Sequence, residues 1–378
     1  MRKRILRTIE KNRSEVWGIL FRRYPAFVWS DRAEPPSVPP VFVFHEVRRP
    51  VVEALLRFLA ENAYTTLTAD EYVERVGQGG RGWGREVVLT FDDGLRSLHD
   101  VVAPALKSFH LKAVAYVVTG RVPEEDRPGR LLCSWKEIRE MHGSGAVDIQ
   151  SHSVLHDSVA VSERVVDFVN PGSKLSFLDG DLAPVAEGVP RLEDRDELPL
   201  GTPIHDWGTR FGERRAFRES PSAVRACLEE VARGGGPEFF RQRGWRGRLT
   251  ELVKEVRRSG GDARFETGEE QGAAILGEMS ESKREIEARL PGKTVRHFCF
   301  PWSRGSRLAV RLSAEAGYVT NAWGSLLPDF AADGDAPIPV ERLPYCYIWR
   351  LPGRGRRSLG EVLRKRGSGI WQGRHATC

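Results

Sequence analysis

The sequence predicts an α/β protein built on a closed or nearly closed barrel of parallel strands. Three observations lead there. Short apolar runs with strand character alternate with helical patterns, as βαβ units do. Seven such runs occur, enough to suggest a barrel. One long segment interrupts the series, and the series then resumes. No internal repeat is visible.

Taken in order, "VFVFHEV" (41–47) precedes a helical "VVEALLRFLAENA", and "EVVLTF" (86–91) precedes "LRSLHDVVAPALKSFH". "AVAYVVTG" (113–120) leads to "SWKEIREMHGSG", in which Ser134 is placed to cap a helix and Glu137 to complete a capping box. "AVDIQSH" (146–152) is the fourth run. Residues 157–275 are rich in Gly, Pro, Asp and Arg, with helical pieces such as "AVRACLEEVARGG" and "GRLTELVKEVRRSG". So long a stretch is not a simple loop in a compact domain, so an inserted subdomain or lid is expected. The series returns with "SESKREIEARLPGK", a helix, then "VRHFCFPW" (295–302), the helical "SRLAVRLSAEAGY", "YVTNAW" (318–323) and "IPVERLPY" (338–345). The expected organisation is therefore a basic segment 1–39, a first barrel part 40–156, the insertion 157–275, a second barrel part 276–350 and a basic tail 351–378.

Charge is unevenly distributed. Residues 1–32 carry nine Lys or Arg against three Asp or Glu, and residues 350–378 carry eight against one. With a net charge of +6 overall, the middle of the chain is about −7. A nucleic-acid-binding body, whose basic residues crowd the folded face, is excluded. Basic ends around an acidic core suit an anionic membrane surface or a polyanionic glycan; solvated ends are the plainer expectation. Leu6, Ile9, Trp17 and Leu20 can share one helical face, which keeps interfacial binding in view. No run reaches the roughly 18 to 20 consecutive apolar residues of a membrane span. The basic N-terminus is broken by charges and lacks a small-residue cleavage site, so it does not read as a secretory signal. The five cysteines are widely spread with no CxxC, which suits a reducing compartment and argues against a disulfide framework. A cytoplasmic location, at or away from the membrane surface, is the resulting expectation.

In parallel barrels chemistry gathers at the carboxyl ends of the strands. His45 follows "VFVF", Asp92 and Asp93 follow "VVLTF", His152 and His156 lie in "QSHSVLH", and Pro301 and Trp302 follow "RHFCF". A DDG after a strand is also an ordinary turn, and an HxxxH pair alone is a weak metal signal. Together they supply two imidazoles and a carboxylate, a set that suits zinc with an open position. A cation there would acidify water and polarise a carbonyl. One Asp would be a ligand, and its neighbour would be free to take a proton.

"LTFDDG", "IQSHSVLH" and "FCFPW", in that order, resemble the first three motifs of the polysaccharide deacetylases, the NodB-homology or carbohydrate esterase family four. The resemblance covers about 40–156 and 278–350. It implies a distorted (β/α) barrel of about seven strands and a metal-dependent hydrolase that removes acetyl groups from sugars, usually N-acetylglucosamine units. Residue by residue, it implies Asp92 as catalytic base and Asp93, His152 and His156 as ligands of a divalent metal, in first place Zn2+. Trp302, after Pro301, stands where the backbone N–H helps to stabilise an oxyanion. His45 matches a strand-end histidine used as general acid in the exopolysaccharide branch.

Two departures stand out. The family's arginine two residues before the motif-three proline is replaced here by Cys299, with Arg296, Arg304 and Arg342 as candidate substitutes. A late Leu-any-His motif has no clear match, and His375 lies in the basic tail. The expected partner is a glycan or glycan precursor, with oligomeric state open. Two alternatives are carried: a glycan-binding protein that has lost turnover, and an O-acetyl esterase. "GTPIHDWGTRF" offers His205, Asp206 and Trp207 either as a substrate lip or as a packed turn, the latter being preferred. His99, His110, His142 and His297 read as structural.

Overall fold

The computed structural model describes residues 23–30, 38–79, 84–125, 130–156, 158–173, 198–324, 327–331 and 336–371. The face formed by Leu6, Ile9, Trp17 and Leu20, and His375 in the tail, lie outside them. The chain divides into two compact units, one of residues 1–154, 279–303 and 313–378, the other of residues 155–278 and 304–312.

The first unit is a parallel barrel. Its strands are β1 (Val41–Phe44), β2 (Thr65–Thr66), β3 (Glu86–Phe91), β4 (Ala113–Val117), β5 (Val147–Ser151), β10 (His297–Cys299), β11 (Thr320–Ala322), β12 (Ile338–Val340) and β13 (Arg342–Pro344). The four strands between β5 and β10 belong to the other unit. Side by side they run β12, β11, β10, β5, β4, β3, β1, β13, with β2 paired to the start of β3. β12 and β13 are two halves of one stretch broken only at Glu341. The first half pairs with β11 and the second with β1, so a single segment joins both edges and closes the barrel. Seven walls result, as the seven apolar runs lead one to expect.

Alternation decides which residues face inward. Val41, Val88, Val114, Tyr116, Cys299, Ala322 and Val340 form one buried cluster in the interior. On β3 the same face therefore carries Thr90 and, two residues on, Asp92. Outside the barrel, Phe44 stacks on Phe91 at 4.6 Å and on Tyr345 at 4.8 Å, a ladder of rings across the closing seam. Aromatic cross-strand pairs of this kind contribute about 0.2–1 kcal/mol each. Helices Ala69–Gly77 and Trp135–Gly143 begin with full capping boxes, Thr68 with Glu71 and Ser134 with Glu137. The four apolar runs before the insertion form strands where expected; "VRHFCFPW" is shorter than its apolar length suggests, because the backbone turns at Pro301.

The second unit opens with an antiparallel pair, β6 (Ser158–Phe168) and β7 (Pro203–Thr209), and has a separate two-residue antiparallel pair, β8 (Phe217–Arg218) and β9 (Arg264–Phe265). Helices Pro221–Arg233 and Trp245–Arg258 pack together. Their apolar residues recur at four-residue spacing (Ala223, Cys227, Val231; Leu249, Val253) and meet Phe168 and Phe239 in a core of their own. Two buried carboxylates are each clamped by arginine: Glu219 by Arg257, and Glu266 by Arg210.

Candidate active site

Asp92 and Asp93 are neighbours, so on an extended strand they would point to opposite faces. The backbone resolves this at Asp93, which takes a left-handed φ of 68° just past the end of β3. Asp92 keeps the inward direction of Thr90, while Asp93 is turned toward the rim. Gly94 follows at φ +71°, and a Cβ there would lie 3.2 Å from Val117 Cγ1, so both conformation and space call for glycine.

His152 stands just past β5, held by its backbone N–H to Val117 O at 3.0 Å. Its Nδ1 lies 2.8 Å from Cys299 O. A backbone carbonyl only accepts, so Nδ1 carries the proton and Nε2 is left with its lone pair. That Nε2 is 3.5 Å from Asp93 Oδ1. Four residues along the same loop comes His156. One ligand atom each from Asp93, His152 and His156 lie within 4.8 Å of one another, all three residues being buried. The donor set fits a divalent cation: two imidazoles and a carboxylate, with one imidazole tautomer fixed by the carbonyl behind it, as in metal sites generally. Asp92, His152 and Cys299 are equally close. That grouping is a poorer cage, because Asp92 is engaged elsewhere and Nδ1 of His152 is protonated.

Asp92 is engaged by Arg342. The guanidinium grips both carboxylate oxygens, Nη1 to Oδ1 at 2.6 Å and Nη2 to Oδ2 at 2.8 Å, with both residues almost wholly buried. Burial alone would push the Asp92 carboxyl up; the Arg342 guanidinium outweighs it and holds the group below the usual carboxylate range. Of the three arginines singled out from sequence, Arg342 is the one brought to Asp92. Arg296 bonds Asp70 at the opposite, amino end of β10, and Arg304 is exposed. His45 places Nε2 3.8 Å from Asp92 Oδ2 with its side chain 55% exposed, a group at the mouth and open to solvent.

Pro301 is buried, and the backbone after it is unusual: Trp302 has φ 58° and Ser303 φ 54°. Five of the eight non-glycine residues with positive φ among the described residues (Asp93, Ser153, His156, Trp302, Ser303) lie in these three loops. Each costs of the order of 1–2 kcal/mol, and such strain gathers where function constrains the backbone. Neither this clustering nor the Asp92–Arg342 pair has a local sequence signal.

The remaining candidates lie elsewhere. "GTPIHDWGTRF" forms β7, a strand where a turn was expected; His205 is fully buried against Glu219 at 3.3 Å, and Asp206 pairs with Arg164. His297 sits between Thr320 and Asp70 inside the barrel, and His99 lies beside Asp100 and Glu140. His110 ends the helix Ala103–Phe109 in a left-handed conformation, and His142 lies in the last turn of Trp135–Gly143.

The model of the polysaccharide deacetylase family matches residues 80–168, which include Asp92, Asp93, His152 and His156. The chain is 27% identical over 127 residues to poly-beta-1,6-N-acetyl-D-glucosamine N-deacetylase of Staphylococcus epidermidis, a match over 34% of this chain and 40% of that one. It is 26% identical over 120 residues to the enzyme of the same name from Staphylococcus aureus, over 32% and 40% of the two chains. The chain thus spans about 40% of the length of the curated relatives it matches. Among solved structures, the deacetylase domain of BpsB from Bordetella bronchiseptica superposes with a TM-score of 0.49 at 18% identity, covering 82% of this chain and 98% of that one.

Proposed function

We propose that the chain is a polysaccharide deacetylase and that it hydrolyses the N-acetyl groups of N-acetylhexosamine units in a glycan or glycan precursor. The polymer named in its relatives, poly-beta-1,6-N-acetyl-D-glucosamine, is the first substrate to test. The observation that carries this reading is the meeting of Asp93, His152 and His156 beside an arginine-clamped Asp92.

In this reading Asp93, His152 and His156 hold a divalent cation, Zn2+ by the chemistry of the donors. When bound, it supplies a Lewis acid that polarises the acetamide carbonyl and makes a neighbouring water acidic. Asp92 takes the proton from the attacking water. Its ionised form, favoured by Arg342, is the one that accepts a proton, and the two-point grip fixes where the carboxylate points. The Trp302 backbone N–H stabilises the oxygen that becomes negative, which is worth about 3 kcal/mol for a well-placed donor. His45, close to Asp92 and open to solvent, gives a proton to the departing amine.

The test is acetate and free-amine release from oligomers of β-1,6-linked N-acetylglucosamine, with chitooligosaccharides and an O-acetylated xylan in parallel. Equal molar acetate and amine from an N-acetylated oligomer is the expected result. Acetate from the xylan alone makes the protein an esterase, and binding without any release makes it a lectin-like barrel.

A further inference from the structure

The inserted unit carries a cavity that the chemistry at the barrel does not use. Among the described residues it measures about 390 Å³ and lies between the turn after β6, the short helix Gly236–Arg241 and the start of the helix Trp245–Arg258. Its floor is aromatic: the Phe240 ring meets the Trp245 ring edge-on at 4.8 Å, and both pack against the unit's own core. Pro171 and Pro237 add two apolar walls. Each wall is held in place. Asn170 Oδ1 accepts from Gly172 N at 3.0 Å and Asn170 Nδ2 donates to Phe168 O at 2.8 Å, which fixes the turn that carries Pro171. Gly235 at φ 93° and Gly236 at φ 64° bend the chain into Pro237, a backbone path open to glycine. The charged side chains at the rim are paired. The Arg246 guanidinium lies 4.1 Å over the Trp245 ring while its Nε donates to Asp167 Oδ1 at 3.0 Å. Arg241 Nη1 lies 2.7 Å from Glu238 Oε2.

This lining selects a ligand class. Two guanidiniums are balanced by two carboxylates, Glu238 and Asp167, so the cavity has no net charge with which to attract a polyanion or a polycation. What it offers is flat apolar surface beside hydrogen-bonding groups. A guanidinium has more N–H donors than one carboxylate contact uses, and Glu238 adds an acceptor. A pyranose has the matching form: C–H faces for the rings and prolines, with hydroxyl and acetamide groups for the rim. Small-ligand sites are cavities of roughly 300–1,000 Å³, lined by aromatic residues with a few polar groups. We propose that this cavity is a second glycan-binding site, which takes a neutral N-acetylhexosamine unit of the polymer and does no chemistry on it. The proposal rests on the reading of the chain as a glycan N-deacetylase. It adds that the insertion contributes to polymer affinity, while turnover is set at the barrel. A polymer engaged at two sites gains through effective concentration, and an oligomer too short to reach both gains nothing.

The experiment follows hydrogen exchange in the full chain carrying Asp92→Asn, which leaves the sugar intact, with and without millimolar β-1,6-linked N-acetylglucosamine hexamer. Amides of residues 236–249 are expected to exchange at least threefold more slowly with the hexamer. Adding Phe240→Leu and Arg246→Gln, which keep an apolar side chain on the core and remove the ring and the guanidinium, is expected to abolish that protection. Protection around His152 and His156 is expected to stay. In the otherwise wild-type chain the same two substitutions are expected to raise KM for the long polymer at least fivefold, with kcat within twofold and KM for the dimer unchanged. A merely structural role would move polymer and dimer alike. If the double variant fails to melt cooperatively, Arg246→Gln alone carries the comparison, since its side chain is 60% exposed. The proposal is overturned if the hexamer leaves 236–249 unprotected, or if a polyuronate protects these residues and the hexamer does not. It is also overturned if polymer KM in the folded variant stays within twofold of wild type. Failure of the deacetylase reading looks different: the wild-type chain releases no acetate, while the hexamer still protects 236–249.

Discussion

Two neighbouring carboxylates address one site only if the chain leaves extended geometry between them. Asp93, at φ 68°, makes that departure, and Gly94 at φ +71° completes the turn against Val117. Gly94→Ala is therefore expected to cost about 1–3 kcal/mol, combining the left-handed penalty with a tight Cβ contact. A lower urea midpoint at unchanged slope would register it; an unchanged midpoint would show that the turn relaxes freely. The residues with local spacing were legible in the sequence, because DDG and HxxxH place their groups within a few positions of each other. Arg342 was one of three candidates, since its meeting with Asp92 spans 250 positions and depends on which strand closes the barrel. The left-handed residues Ser153, His156, Trp302 and Ser303 were not legible at all. Nothing in their side chains announces positive φ, which tertiary contacts must enforce.

The barrel strands were readable because they are short apolar runs separated by helical periodicity. Boundaries were less so: β10 ends at Cys299, and the run 338–345 is split at Glu341, whose carboxyl burial pushes up. The inserted unit was harder, since its strands β6 and β7 are half-exposed and rich in polar residues. Its buried ion pairs give a testable consequence. Glu219 is pushed up by burial, but the His205 imidazole 3.3 Å away and the hydrogen bonds from Arg257 prevail and lower it from 4.5 to about 2. The group is depressed in the folded state, so its contribution is fully present above about pH 4.5 and fades as pH falls toward 2. Glu219→Gln should flatten the acid limb of a stability-against-pH curve between those values. A limb identical to wild type would mean that other carboxylates set it. At helix starts, Ser134→Ala should cost about 1 kcal/mol through loss of the Glu137 N–H acceptor, read as a small drop in melting temperature.

At the scale of the molecule, closure is what gathers the chemistry. Asp92, His152, Cys299 and Arg342 come from four strands, and the last arrives only because residues 338–344 pair with both β11 and β1. A chain ending before 338 leaves two open edges and an unpaired Asp92 in the interior, so it is expected to lack a cooperative thermal transition. A sharp two-state melt from that truncation would show that the ring is not needed for the fold. No helix among the described residues is long and apolar enough to cross a membrane. The two imidazoles, one carboxylate and a second, arginine-held carboxylate form a division of labour that one measurement separates: zinc per chain and acetate release, determined together for Asp93→Ala and Asp92→Asn. The account predicts that Asp93→Ala loses both zinc and release, whereas Asp92→Asn keeps about one zinc per chain and loses release. Asp92→Asn releasing acetate at the wild-type rate, or Asp93→Ala retaining its zinc, would contradict it.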